Sequence, residues 1–544
     1  QLYAAVKARQ LLRDASINGV KDKIDQIPAV TRGMIGEFNF EKLRDALQEG
    51  EITCTMVLRT YQEKAILSHE KTNCITRFIE EADTWASELD KKASELGYKK
   101  PPLFGIPFSI KECIKVAGYD QTKGYASEIG NCAEENSLLV EQIKYLGGIP
   151  FVLTNVPQCL LTYSCSNPIY GTTCCVTDKN RTSGGSSGGE GALIGSGGSI
   201  IGIGSDVGGS IRYPCHFNGI TGIKPSHLRL SSSFMDGSVP GRVLVDCSQG
   251  PMAAEVSTLV SFLREIWKDD WISQRDPYVP PVPWNELQFS KNHFNIGYYE
   301  TDGWFEPTPA LSRAVRESVV RLRGLGHNVE PFKLPDMKKP FQLFIGAVTL
   351  DGGNYLTSKI SDDIVMDEYQ STLTLYKLPV YLKRFLGLLL SYSYPRIAAV
   401  LQSLPCDTSD LREIYAEIMA FREQFVKLMK NQKLDALICP VQVMPAIGHE
   451  YPMKLYTATS YCGIYNLLDF AAGTVRVTSV TTEDERNLEE YPVVDPWYQM
   501  AKEATEGAVG LPVGVQVVAP PYHEETVLKI LLELEQSVHE NPII

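Results

Sequence analysis

The amino-acid sequence predicts one elaborated α/β domain of enzyme size, and three observations lead there. Apolar runs of strand length alternate with helical patterning. No repeat of 20 to 50 residues and no long low-complexity linker divides the 544 residues. Hydrophobic residues make up 44% and charged residues 22%, an ordinary globular balance that can bury a sizeable core.

Residues 1 to 25 are polar and helix-prone, and residues 39 to 68 carry apolar side chains at helical spacing. Phe40, Leu43 and Leu47, then Val57, Leu58 and Tyr61, mark peripheral helices. Residues 1–35 are expected to be an N-terminal helical segment and 36–544 the main domain. From Leu103 the texture changes: Leu103 to Ile110 is apolar around Gly105 and Pro107, Leu139 to Leu146 reads as a helix, and Gly148 to Thr154 as a buried strand. Residues 376 to 404 form the greasiest long stretch, broken into two helices at Pro379 and Pro395. Tyr381, Phe385, Leu388, Leu389 and Tyr392 fall on one face, and Ile397, Val400, Leu401 and Leu404 continue it after Pro395. Lys383, Arg384 and Arg396 supply a basic edge. Such a stripe suits a core hairpin or a membrane surface equally.

A net charge of −13 argues against a basic nucleic-acid surface, since phosphate binding rests on clustered Lys and Arg. Thirteen cysteines, an odd number without zinc-type spacing, are expected to be mostly reduced, buried thiols of an intracellular compartment, with no metal. The chain begins at Gln1 rather than Met, so it is expected to be a piece of a longer product with room for an upstream membrane anchor. No run of 18 apolar residues within it predicts a transmembrane helix.

The most unusual segment runs from Ser183 to Gly209, where 12 of 27 residues are glycine. A solvated linker would lack the apolar punctuation of Ala192, Leu193, Ile194, Ile200, Ile201, Ile203 and Val207. A phosphate loop needs Lys in GxxxxGK[ST], and none lies between Asn180 and Lys224. Neither Gly195-x-Gly197 nor Gly202-x-Gly204 completes a dinucleotide fingerprint. Gly184 to Gly188 matches the GxSxG elbow, but the elbow needs an apolar strand before its serine, and residues 177 to 183 read TDKNRTS. What remains is serine chemistry with a lysine base. Lys111, at the end of the apolar PFSIK, sits where desolvation disfavours an ammonium, although a surface lysine paired with Glu112 is the plain alternative.

PFSIKE around Lys111, SGGSSGGEGALIGSGGS from Ser183 and GSDVGGSIRYP from Gly204 resemble the amidase-signature family. Ser210 follows Ser186 by 24 residues and Lys111 by 99, the spacing of that family's Ser-Ser-Lys triad. Gly222 to Pro225, Gly250 to Met252, Asp435 to Pro440 and Gly510 to Gln516 extend the likeness over roughly residues 40 to 535. Asn155 to Gln158, Cys165 to Pro168 and Gly297 to Asp302 draw it toward the fatty-acid amide hydrolase branch. Cys174-Cys175-Val176 and Ser183 depart from the family's pattern and put pocket or loop shape in question more than chemistry.

The resemblance implies a large twisted mixed β-sheet surrounded by helices, with a membrane-binding helical cap at 371–405. It implies Ser210 as nucleophile, Ser186 as proton relay, Lys111 as base, a cis Gly185–Ser186 peptide, and an oxyanion hole from the N–H groups of Val207, Gly208, Gly209 and Ser210. Cys159, Leu160, Leu161, Tyr163, Val348, Thr349 and Trp497 match positions lining an acyl channel. Tyr381, Phe385, Leu388, Leu389, Lys383 and Arg384 fall in the cap. The implied reaction is hydrolysis of fatty-acid amides, N-acyl ethanolamines and primary amides, to free acid plus ethanolamine or ammonia, without cofactor. The implied setting is an intracellular membrane such as the endoplasmic reticulum, bound from one side, as a homodimer. A general small-amide amidase, an amidotransferase A subunit, a GxSxG esterase and a non-catalytic lipid binder are the alternatives. Asp206 and Arg212 are expected to brace the loop by pairing, and Ser187 to cap it or assist by a hydrogen bond.

Overall fold

The computed structural model describes residues 1–540 except 234 and 236. Its core is a mixed sheet whose strands take their length from short apolar runs. They are β1 (Ile75–Phe78), β2 (Pro107–Lys111) and β3 (Ile149–Thr154), then a small hairpin of β4 (Ser166–Asn167) and β5 (Gly171–Thr172). There follow β6 (Ile201–Asp206), β7 (Thr221–Lys224), β8 (Ser248–Ala253), β9 (Asn295–Tyr298) and β10 (Asn328–Pro331). β11 (Ala436–Pro440), β12 (Ala471–Ser479) and β13 (Pro512–Ala519) complete the set. Eleven of these form one sheet in the order β1-β3-β2-β6-β8-β7-β12-β13-β11-β9-β10. The central strands are buried along their whole length, as both-faced burial between helices requires.

β2 runs parallel to both β3 and β6, pairing Lys111 with Thr154 and Ile110 with Ile203. Parallel pairing brings the carboxyl ends of β2 and β6 to the same edge, so Lys111 ends beside the turn that leaves Asp206. Ligand sites of open α/β sheets gather at that edge. The apolar run from Leu103 enters β2 only at Pro107, because Leu103 to Ile106 is spent in a turn that passes Gly105 at φ 75°.

The expected peripheral helices are present. Phe40–Glu49 starts on Asn39, whose side chain accepts the Lys42 N–H, and stops at left-handed Gly50. Cys54–Thr72 starts on Thr53 and stops at left-handed Asn73. Residues 1–35 fall in helices Leu2–Ile24 and Ala29–Gly36, the first tied down by Arg9 to Asp120 at 2.6 Å and Gln10 to the Ile169 carbonyl at 2.8 Å. All thirteen cysteines are free, and ten are buried.

The greasy stretch divides as the two prolines dictate, into helices Val380–Leu390 and Pro395–Ser403, but its faces differ from expectation. Tyr381, Phe385, Leu388, Leu389 and Tyr392 are exposed, whereas Val400, Leu401 and Leu404 are buried in the core. The basic edge is largely missing. Lys383 is fully buried, donating to the carbonyls of Gly352 and Tyr376 at 2.9 and 3.0 Å, where burial lowers its pKa. Arg396 is buried against Asp495 at 3.0 Å and the rings of Trp304, Phe305 and Tyr498. Only Arg384 stays partly exposed, and it is paired with Asp410. Orphan carbonyls at helix ends and an acidic cap residue capture these cations more strongly than water does. No helix among the described residues is long and apolar enough to cross a membrane.

Candidate active site

The site forms where β2, β6 and the turn before helix Gly188–Gly195 meet. Lys111, fully buried, directs Nζ to Ser186 Oγ at 2.7 Å, Ser205 Oγ at 2.9 Å and the Ser205 carbonyl at 3.3 Å. It makes no ion pair among the described residues, so the alternative of a surface lysine paired with Glu112 does not hold. Glu112 is itself buried and accepts from Thr122 and the Lys123 N–H, and burial raises its carboxyl to about 7.

The Gly185–Ser186 peptide is cis, as the resemblance implied. Gly185 admits no side chain, since a Cβ there would lie 2.0 Å from the Ser164 carbonyl oxygen. Ser187 joins the two serine loops: its N–H donates to the Ser210 carbonyl at 3.1 Å, and its hydroxyl stands 3.2 Å from the Ser205 N–H and 3.3 Å from the Ser205 carbonyl. It is a buried brace, not an exposed cap.

The turn carrying Ser210 is shaped by Asp206. One carboxylate oxygen accepts the Gly209 N–H at 2.8 Å and the other the Ile211 N–H at 3.1 Å. Arg212 grips both oxygens at 3.0 and 3.1 Å, and Asn466 adds a donor at 2.9 Å. Burial alone would raise the Asp206 carboxyl, but the Arg212 charge and these hydrogen bonds hold it well below the usual carboxylate range. Gly209 sits at φ 121°, with the Tyr213 ring where a Cβ would be. Its N–H is therefore spent on Asp206, a correction to the expected oxyanion donors. The N–H groups of Val207, Gly208 and Ser210 have no protein acceptor among the described residues.

Two cavities open at Ser210. The larger encloses about 1160 Å³ including its open mouth, and its wall is overwhelmingly apolar and aromatic. Cys159, Leu160, Leu161, Tyr163, Val348 and Thr349 line it, as expected. Trp497 does not: it is buried elsewhere, with Nε1 on the Lys454 carbonyl and its ring edge-on to Tyr394. Phe344, Tyr369, Leu373, Tyr376 and Tyr456 also line the cavity and escaped sequence reading. For the first four the signal was the apolar spacing of helices Lys338–Thr349 and Asp367–Tyr376, which reads equally as core. The smaller cavity is lined by Ser186, Ser205 and Ser210 among others. Cys174, Cys175 and Val176 line neither.

No histidine among the described residues lines either cavity, and His216 is held on the Met444 carbonyl and the Gly514 N–H. That removes the GxSxG esterase alternative, whose serine needs a histidine.

Residues 56–528 match the amidase family. The chain belongs to that family. This amidase is 51% identical over 526 residues, 96% of its length and 92% of the relative's, to fatty acid amide hydrolase 1 of Caenorhabditis elegans. It is 38% identical to fatty-acid amide hydrolase 1 of Sus scrofa, over 98% of this chain and 92% of the relative. A solved fatty acid amide hydrolase superposes with a TM-score of 0.84 at 23% identity, covering 98% of this chain and 95% of that one. The amidase-signature fold, a large mixed sheet surrounded by helices, is thereby established.

A buried carboxyl below the site, Glu190, was not foreseen. It accepts the Ser109 hydroxyl at 2.5 Å and the Thr154 hydroxyl at 2.7 Å, pinning helix Gly188–Gly195 to β2 and β3. Burial raises it from 4.5 to about 7, and the two hydroxyls pull it back only in part. The folded protein thus holds a proton that the unfolded chain releases, so this group's contribution to stability is lost as pH rises from about 4.5 to about 7. Glu190→Gln is expected to match wild type near pH 4 and to gain on it by on the order of 3 kcal/mol near pH 8, read by thermal or denaturant unfolding. Asp206→Asn is expected to cost roughly 3 to 5 kcal/mol of stability, because Arg212 is left buried without its partner charge; unchanged denaturant midpoints would refute that role.

Proposed function

We propose that this amidase hydrolyses long-chain fatty-acid amides, N-acyl ethanolamines and primary amides, through Ser210, Ser186 and Lys111. The observation that carries the reading is the 2.7 Å contact of Lys111 Nζ with Ser186 Oγ, in a recess shared with Ser210, beside an apolar cavity large enough for an acyl chain. Ser210 Oγ attacks the acyl carbonyl as Ser186 takes its proton and passes its own to Lys111 as the base. Reversal of the relay protonates the departing nitrogen, the step an amide most needs. Water then releases the acid by the same route. The developing oxyanion meets the N–H groups of Val207, Gly208 and Ser210, while Gly209 supplies the turn and orients Asp206. The relatives' names support the substrate class, and the aromatic depth of the cavity favours it over small amides or an amidotransferase role.

The exposed apolar face of helix Val380–Leu390 supports a monotopic seat on an intracellular membrane. Lys383 ties that helix to the Tyr376 carbonyl, and Tyr376 lines the acyl cavity, so the face lies next to the cavity wall. With Lys383 and Arg396 buried, insertion rests on apolar area rather than charge. Free cysteines suit a reducing compartment. A homodimer is carried over from the family resemblance alone.

Ser210→Ala is expected to abolish turnover and fluorophosphonate labelling, and Ser186→Ala to cut turnover strongly while Ser210 remains labelled slowly. Lys111→Ala should slow a long-chain amide more than its matched ester, since an alkoxide departs with less help from a proton. Unchanged amide, ester and labelling rates in Lys111→Ala would defeat the triad. For the cap, Leu388→Ser with Leu389→Ser is expected to reduce binding to neutral phospholipid vesicles at least about tenfold. Wild-type binding should survive high salt, and release by salt alone would contradict an apolar seat.

A further inference from the structure

The acyl cavity and the smaller recess share Leu160, Leu161, Val207 and Ser210 as a common wall. Val207 and Ser210 belong to the nucleophile turn, so Leu160 and Leu161 form the facing side of the neck through which an acyl chain leaves the reacting carbon. They sit on a strained turn. Cys159 and Leu160 stand at φ 59° and 58°, two consecutive residues with side chains in the left-handed region that glycine favours. A conformation of that cost persists only where the surroundings over-determine it, and such strain gathers at functional sites.

The surroundings that do so lie on both sides of the turn. On one side it packs against Gly124, where a Cβ would lie 2.6 Å from Gln158 Cα, and the Cys159 N–H donates to the Lys123 carbonyl at 3.0 Å. On the other it is clasped through Gln158, which is fully buried and lines neither cavity. The Gln158 side chain donates from Nε2 to the Ile364 carbonyl at 2.9 Å and accepts the Met366 N–H on Oε1 at 3.2 Å. Tyr369 donates its hydroxyl to the Gln158 carbonyl at 2.8 Å. Cys159 and Tyr369 also share a small apolar cluster with Tyr125, Ile360 and Leu373, apart from the main core. Three hydrogen bonds thus tie the turn to a segment more than 200 residues along the chain. A buried amide satisfied as both donor and acceptor leaves the turn one position, because any shift strands a polar group without water.

We infer that Gln158 is a positioning residue: its amide, with the Tyr369 hydroxyl, holds the Cys159–Leu160 turn in place, and the turn fixes where the first carbons of the acyl chain pass Ser210. The inference rests on the fatty-acid amide reading and adds to it a determinant of chain length. A chain seated in the apolar cavity brings its carbonyl to Ser210 only while the neck at Leu160 and Leu161 keeps its position. Without the clasp the turn relaxes toward ordinary φ and the neck shifts. A long chain then still fills the cavity but holds its carbonyl out of register with Ser210. A short acyl amide has no chain deep in the cavity to restrain it, so its carbonyl settles against Ser210 wherever the neck lies. The loss therefore falls on kcat for long chains, since displacing a bound reacting carbon by about 1 Å costs on the order of a hundredfold in rate.

The test compares kcat and KM for oleamide and hexanamide in the wild-type protein, Gln158→Met and Tyr369→Phe. Gln158→Met keeps the length of the side chain and removes both amide hydrogen bonds, whereas Tyr369→Phe keeps the ring and removes one. In Gln158→Met the oleamide-to-hexanamide ratio of kcat/KM is expected to fall at least about tenfold, carried by the kcat for oleamide, and in Tyr369→Phe about threefold. An unchanged ratio overturns the inference. So does an equal loss on both amides, the mark of a general packing role, or a loss carried by KM alone. Should Gln158→Met not fold, Tyr369→Phe decides on the same ratio. Failure of the wild-type protein on oleamide defeats the fatty-acid amide reading itself, and the inference with it.

Discussion

The site depends on one buried carboxylate. Asp206 ends β6 and turns its two oxygens back onto the chain that follows, taking the N–H groups of Gly209 and Ile211 while Arg212 and Asn466 neutralise and satisfy it. A carboxylate in a dry interior is tolerated only when every lone pair is occupied, so the loop has little freedom once Asp206 is in place. That closure turns the backbone of Val207, Gly208 and Ser210 toward the cavity. It also sets Ser210 against Ser187, which reaches back to Ser205. The pair is worth more as a geometric constraint than as an ion pair, since buried pairs recover little beyond their desolvation cost.

On this frame Lys111 is placed by strand register rather than by any partner charge. β2 and β6 run parallel, and the residue that ends β2 falls beside Ser205 near the end of β6. Its hydrogen-bond partners are the hydroxyls of Ser186 and Ser205 and the Ser205 carbonyl. Glu190 below, held by Ser109 and Thr154, fastens the helix behind Ser186 to the same two strands. The result is a polar cluster within an apolar sheet edge, with an apolar cavity on one side and an arginine-bearing recess on the other.

The helical pair at 380 to 403 illustrates a limit of pattern reading. Both helices carry an apolar stripe of similar strength, yet the first presents it to solvent and the second buries it. Periodicity states that a face exists, not what covers it. Lys383 shows the same for charge: a lysine in a greasy segment reads as a basic edge, but two carbonyls within 3.0 Å claim it. Trp497, matched by position to the acyl channel, lies away from it on the Lys454 carbonyl.

By itself, the sequence determined the family and the fold class. Glycine-rich spacing and the lysine closing an apolar run carried that reading, and Gly209 is demanded locally by the Tyr213 ring, whereas Gly185 is demanded by the Ser164 carbonyl from another part of the chain. The helices within residues 39 to 68 and the strand ending at Thr154 were legible because apolar spacing acts within a few residues. Only the tertiary structure decided which groups meet across the chain. Ser205 beside Lys111, Asn466 on Asp206, and Glu190 between β2 and β3 depend on where distant segments stop. Burial, partner and charge state are properties of that packing, and no window of sequence contains them.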